Sequence, residues 1–343
     1  MDIVELRSDT FTTPTPEMRR AMAEAEVGDD VWGEDPTAIA LQERCAEMFG
    51  KEAGLFVPSG SMGNEISIAA MTRPGDEVVC EAQSHIVLYE MGGPATIAQV
   101  MLRTIEAPDA ILEPEHVAAM IRPQSSHTSG TALVSLENTH NARGGRIVPL
   151  DAMHAVAKVA RDRGAAVFLD GARIFNASVA TGIGVREWAA GVDALSFCFS
   201  KGLGAPVGSM IVGSREHIAR CHTLRKRYGG GMRQIGVLCA AARLAVDTMV
   251  ERLADDHANA RRLAEGFAEA LPGCVDPASV ETNMVFADLQ ARDAAALAGA
   301  LWEQGVRVGP TGPFTIRAVT HKDVTRDGVE RAIAAFSAAV RGS

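Results

Sequence analysis

The chain has 343 residues, 47% of them hydrophobic, and carries 33 Lys and Arg against 43 Asp and Glu for a net charge of -10 at pH 7. That length holds one large hydrophobic core and a smaller second one, and the acidic balance argues against nucleic acid or an anionic membrane as partner, leaving a small molecule. Cys45, Cys80, Cys198, Cys221, Cys239 and Cys274 form no CxxC pair and no metal-like grouping, and neither a leader nor a membrane-length apolar run is found, so the chain reads as cytoplasmic with free thiols and no metal.

Leu6-Arg7-Ser8-Asp9-Thr10 opens the chain within an N-terminal arm, residues 1–14. Pro14 and Pro16 delay the first helix, which Thr15 caps over 16–26. Val27 to Asp35 has no helical period and reads as a loop on a pocket rim before a helix over 36–49. A strand over 54–57 runs into Pro58-Ser59-Gly60-Ser61-Met62-Gly63-Asn64 and a helix through Met71. A Ser/Gly turn at a helix start offers free amides to a phosphate, although such turns serve equally as plain caps.

After a strand over 77–81, His85 sits at a strand-to-helix junction, on the side of an α/β sheet where ligands gather. A lone histidine is ordinarily structural, yet an imidazole there is also the size to stack on a planar ring and has the pKa to move a proton. Strands over 98–105 and 131–136 and helices over 113–121 and 150–164 continue a β-α-β alternation, which implies a mainly parallel, helix-covered sheet.

Two strand ends stand out. The run 165–169 ends in Asp170-Gly171-Ala172-Arg173, and the run 194–199 ends in Ser200-Lys201-Gly202-Leu203-Gly204. A lysine at a strand end is ordinarily a solvated cation; the other reading is an amine kept dry so that it condenses with a carbonyl. Pyridoxal phosphate requires an amine for its aldehyde and a carboxylate that keeps the ring nitrogen protonated, and Lys201 and Asp170 suit those roles.

Downstream, a strand over 206–212 and a basic helix over 215–227 precede Gly229-Gly230-Gly231-Met232-Arg233-Gln234, where Arg233 is placed to meet an anion. One long helix over 234–271 then links a large domain, 15–250, to a small α+β domain, 251–343. The latter has strands over 283–286 and near Val306 and Ile316, helices over 291–304 and 324–340, and Arg317 on its last strand.

Taken in order, Leu6 to Thr10, Val27 to Asp35, Pro58 to Asn64, Leu136-Glu137-Asn138-Thr139-His140-Asn141, Asp170 to Arg173, Ser200 to Leu203 and Gly229 to Gln234 resemble the L-threonine aldolases, over essentially the whole chain. The resemblance implies an α/β fold of type I among pyridoxal-phosphate enzymes, aspartate aminotransferase-like, with a seven-stranded large domain and a small C-terminal one. It also implies a homotetramer of two close dimers and reversible cleavage of β-hydroxy-α-amino acids, threonine or allo-threonine among them, to glycine and an aldehyde.

By that likeness Lys201 holds the cofactor covalently, Asp170 pairs with its ring nitrogen, Gly60 and Ser61 hold the phosphate with Arg233, and Glu137 belongs to the cofactor shell. The likeness allows Arg233 to act across a dimer interface. Ser8, Arg173 and Arg317 receive the substrate carboxylate or nearby cofactor oxygens, and Trp32 and Tyr89 line the substrate side, Trp32 standing where the family commonly has tyrosine. His85 stacks over the cofactor and serves the β-hydroxyl together with His127, whose position ten residues before Glu137 matches the family although its local string departs. β-Elimination, or transfer of a glycyl carbanion to another aldehyde, is the nearest alternative outcome. A ligand-binding relative without catalysis, and an aldolase whose lysine works without a cofactor, leave more of these residues unexplained.

Overall fold

The computed structural model describes residues 3–342, and their twelve strands fall into three sheets. β1 (Val4–Glu5) pairs in parallel with β10 (Val306–Arg307). The main sheet comprises β2 (Ala53–Val57), β3 (Glu77–Glu81), β4 (Met101–Ile105), β5 (Thr131–Glu137), β6 (Ala166–Asp170), β7 (Ala194–Cys198) and β8 (Ser209–Gly213), in the spatial order β2-β8-β7-β6-β5-β3-β4. From β7 to β4 all neighbours are parallel, while β8 runs antiparallel to both β7 and β2. β9 (Met284–Asp288), β11 (Gly309–Gly312) and β12 (Thr315–Val319) form a small antiparallel sheet.

Strand ends are aligned where chemistry would need them. Glu137 is level with Asp170, and Asp170 with Ser196, so three polar side chains form one row on one face, at the C-terminal ends of β5 and β6 and the middle of β7. That face is covered by α3 (Gly60–Met71), whose Gly63 lies against Ser196 and Val57. Local rules set the helices before it. α1 (Pro16–Glu24) has Thr15 as N-cap, and α2 (Pro36–Phe49) starts on an Asp35 cap with Pro36 in its first turn and stops at Gly50 in the left-handed region (φ 64°).

The expected single helix over 234–271 is two, Gly236–Thr248 and Leu253–Ala270. The first buries Ala241, Ala242 and Ala245 in the core of the main sheet, whereas the second buries Ala260, Leu263, Ala264 and Phe267 in the core of the small sheet. The chain turns at Met249–Arg252 because its apolar face must pass from one core to the other. Strand β4 begins at Met101 rather than Ala98, since residues 93–96 form a helical turn whose Pro94 carbonyl accepts from Val100 N. Within the expected arm, Val4 and Leu6 are buried in the core of the C-terminal unit. All six cysteines are free and buried.

Candidate active site

The row at the sheet edge is tied to α3 by one side chain. Asn64 Nδ2 donates to Asp170 Oδ2 (2.7 Å) and to Glu90 Oε1 (2.8 Å), and Asn64 Oδ1 accepts from Ser196 Oγ (2.7 Å). The other Asp170 oxygen accepts from Ala172 N (3.0 Å), so this buried carboxylate is fixed from both sides. At the start of α3, Ser59 caps Met62 N, leaving the Gly60 and Ser61 amides without partners among the described residues. A Cβ at Gly60 would lie 2.9 Å from Cys198 Sγ, so only glycine lets the helix start approach the sheet this closely. Two free amides, the exposed Ser61 hydroxyl and the positive end of a 12-residue helix form a cradle suited to a phosphate.

Lys201 follows β7 across the edge from this cradle. Its carbonyl accepts from Thr12 Oγ1 (2.9 Å) and Gly204 N (2.8 Å), which fixes the turn, while Nζ makes no hydrogen bond among the described residues. Its charge reaches both Asp9 and His85. An unpaired amine, a fixed buried carboxylate and an anion cradle on one sheet edge fit a phosphorylated pyridine aldehyde.

His85 caps the opposite side. Its backbone N donates to Glu137 Oε2 (2.6 Å) and its Nδ1 pairs with Glu90 Oε1 (2.8 Å), while the ring stands 5.4 Å from that of Tyr89. Burial opposes a charged imidazole here, but the Glu90 hydrogen bond and the charge of Asp170 outweigh it, so the His85 pKa is raised. The other Glu137 oxygen accepts from Asn141 N (2.8 Å). With one oxygen on each of two backbone amides, Glu137 clamps the walls of the site.

The N-terminal segment brings the arginines together. Asp9 accepts from Arg173 Nε (2.8 Å) and Nη2 (2.7 Å), and Arg173 Nη1 donates to Asn141 Oδ1 (3.2 Å). Three of the five N–H groups of Arg173 are therefore committed, leaving two donors for a ligand. Arg317 differs. Its Nη2 donates to Arg7 O (3.0 Å), but its buried Nε has no partner. Burial and then the charge of Arg173 lower its pKa, partly offset by Asp9 and Tyr89, which places these groups around one pocket. Ser8, next to Arg7, is half-buried and its hydroxyl accepts from Thr10 N (3.2 Å).

Three expected residues do not reach this site within one chain. His127 lies in an exposed turn before β5, its N bonded to Ser125 Oγ (3.1 Å). The seven residues of β5 at about 3.3 Å each put it on the order of 20 Å away, at the opposite sheet edge. Trp32 is 78% exposed and lines a groove with Ala53, Gly54 and Leu55, where β2 begins rather than where it ends. Arg233 joins the same loop, its Nη1 3.4 Å from Asp29 Oδ2. Conversely, Asn64, Glu65, Glu90 and Asp9 were not singled out from the sequence. Glu65 carries a local signal, an acid directly before the mostly apolar helix run Ile66-Ser67-Ile68-Ala69-Ala70.

A seven-stranded, mainly parallel sheet, a small antiparallel C-terminal sheet and a lysine at the strand edge together define the α/β fold of type I pyridoxal-phosphate enzymes. The threonine aldolase of Leishmania major superposes with a TM-score of 0.84 at 19% identity, covering 98% of this chain and 99% of that one. The chain belongs to the beta-eliminating lyase family, whose profile matches residues 5–292. It is 44% identical over 347 residues to low-specificity L-threonine aldolase 1 of Arabidopsis thaliana, covering 99% of this chain and 97% of that protein. With the low specificity L-threonine aldolase of Escherichia coli K12 it shares 41% identity over 326 residues, 95% and 96% of the two chains.

Proposed function

We infer that the chain is a low-specificity L-threonine aldolase that cleaves β-hydroxy-α-amino acids to glycine and an aldehyde, with pyridoxal phosphate as cofactor. The observation that carries the reading is the convergence of Lys201, Asp170 and the free α3 amides on one sheet edge, in a chain whose relatives are threonine aldolases over nearly their full length. Pyridoxal phosphate, when bound, supplies an aldehyde for the amine and an electron sink for the carbanion left at Cα.

The chain's own residues supply the rest. Lys201 holds the aldehyde carbon, Asp170 keeps a proton on the ring nitrogen, and Gly60 and Ser61 bind the phosphate. Arg317, through its unpartnered Nε, receives the substrate carboxylate beside Ser8, and Tyr89 walls the side-chain end. With its Nδ1 occupied by Glu90, His85 takes the β-hydroxyl proton at Nε2 as the Cα–Cβ bond breaks; the hydroxyl carbon becomes the aldehyde and a proton delivered to Cα completes glycine.

A homotetramer belongs to this reading. Trp32 and Arg233 share an exposed loop surface that a second copy could insert into this edge, and Met91, one residue past Glu90, is 96% exposed and apolar. His127 acts only if an assembled neighbour brings it. Reduced, buried thiols suit a cytoplasmic enzyme, and among the described residues no helix is long and apolar enough to cross a membrane.

Two variants test the reading. Lys201→Ala is expected to abolish the visible absorbance of protein-bound cofactor and nearly all turnover; an unchanged spectrum refutes the attachment. His85→Asn is expected to retain cofactor and lose about 10²–10⁴-fold in kcat, and full activity on threonine removes His85 as the base.

A further inference from the structure

Behind His85 lies a carboxyl pair that the reaction as described does not use. Glu90 Oε1 is shared by His85 Nδ1 and Asn64 Nδ2, both at 2.8 Å, but Glu90 Oε2 is buried and has no partner. Facing it, within hydrogen-bonding reach, is Glu65 of α3, whose two oxygens are also buried and unpartnered. No lysine, arginine or histidine bonds to Glu65, and Gly93 closes over it: a Cβ at that position would overlap the Glu65 carboxyl. His85 meets Glu90 at Oε1, so no cation stands between the two carboxyls, and in a dry space they cannot both be ionised. One proton removes the repulsion and satisfies Glu90 Oε2 at a stroke.

We propose that Glu65 and Glu90 share one proton, and that this pair positions His85 by holding Glu90 as the acceptor for an Nδ1–H, so that Nε2 is the basic nitrogen presented to substrate. The assignment rests on the reading of His85 as the base. Glu65 is the proton carrier, because burial and the adjacent Glu90 push its carboxyl up to about 9, whereas Glu90 has His85 and Asn64 to stabilise its charge. The other ionisable groups facing the cluster are Tyr89 beside the His85 ring, Asp170 at the end of β6, Glu137 at the end of β5 and Lys201 after β7. Asn64 joins Glu90 Oε1 to Asp170 Oδ2, so the carboxylate behind the base and the one beneath the ring are held by a single amide. Glu65 and Glu90 touch neither reacting atoms nor cofactor in this account; they are positioning residues.

The test uses the cofactor-loaded enzyme labelled with ¹⁵N-histidine, with His85 assigned by difference from His85→Asn, and infrared spectra at neutral pH. The wild type is expected to show His85 as the Nδ1–H tautomer and to show a protonated-acid carbonyl band that Glu65→Gln removes. Glu65→Gln, whose amide N–H replaces the acid proton, should leave the His85 tautomer and titration midpoint in place. In Glu90→Gln, burial keeps the proton on Glu65, so the negative charge behind the ring is lost. The His85 midpoint should fall while the Glu65 acid band persists, and the acidic limb of kcat should move to lower pH with kcat reduced more than KM is raised. An Nε2–H tautomer in the wild type, or an acid band that survives Glu65→Gln, overturns the proposal. Full activity of His85→Asn, by contrast, overturns the base assignment while leaving the tautomer and infrared results to stand on their own.

Discussion

Asp9 joins the N-terminal segment, the main sheet and the small sheet through one carboxylate. It accepts from Arg173 Nε and Nη2 at 2.8 and 2.7 Å and from Asn283 Nδ2 at 3.3 Å, with its side chain wholly buried and that of Arg173 only 5% exposed. Burial opposes the charge, but Arg173 outweighs it and holds the Asp9 carboxyl far below the usual carboxylate range. The pair therefore contributes its full stability above about pH 4, where the unfolded carboxylate is also ionised, and loses it progressively as pH falls from there through the much lower folded value. Asp9→Ala leaves a dry guanidinium without a counter-charge, at a cost of about 3–5 kcal/mol. Against a total of about 5–15 kcal/mol for a typical domain, that is a large fraction. Urea unfolding at neutral pH and fixed chain concentration measures it. Asp9→Ala combined with Arg173→Leu should recover much of the loss, because the isolated charge is gone. A single variant as stable as the wild type, or a double variant no better than the single, refutes the reasoning.

Arg317→Leu removes the donor assigned to the substrate carboxylate; a charged hydrogen bond of about 1.5–3 kcal/mol corresponds to a KM for threonine raised about 10–100-fold, and steady-state kinetics showing an unchanged KM would exclude the role. Gly60→Ala places a methyl against Cys198 Sγ and displaces the start of α3, so cofactor affinity, read by absorbance titration, should weaken; equal affinity would mean the cradle lies elsewhere. Glu81 is a third case: burial opposes its charge, yet hydrogen bonds from His140 and Arg143 hold its pKa down at about 2. Its stabilisation is present above about pH 4.5 and is lost as pH falls toward 2, so Glu81→Gln should flatten acid destabilisation across that interval, and an unaltered acid profile would contradict the assignment.

The chemistry-bearing strand ends were legible because apolar runs stopping at Asp170 and Lys201 are local signals, as is the capped Ser/Gly turn before α3. Register and long-range pairing were not. Asn64 meets Asp170 across 106 positions, and nothing local in Asn64 or Glu90 announces that partnership. The break at Met249–Arg252 has no Gly or Pro to mark it, since it arises from two separate cores claiming successive helix faces. Spacing along the chain likewise placed His127 near Glu137 without showing that a full strand separates them end to end. Val4 and Leu6 are too few to show a period, and only their burial against the C-terminal unit reveals where they belong.

Product analysis with L-threonine and added pyridoxal phosphate tests the central claim most directly. Glycine and acetaldehyde are predicted to appear in equal amounts, matching the threonine consumed, with no ammonia. Release of ammonia with a 2-oxoacid in place of glycine would contradict the account, because it would mean that the Cα–Cβ bond survives and the β-hydroxyl leaves instead.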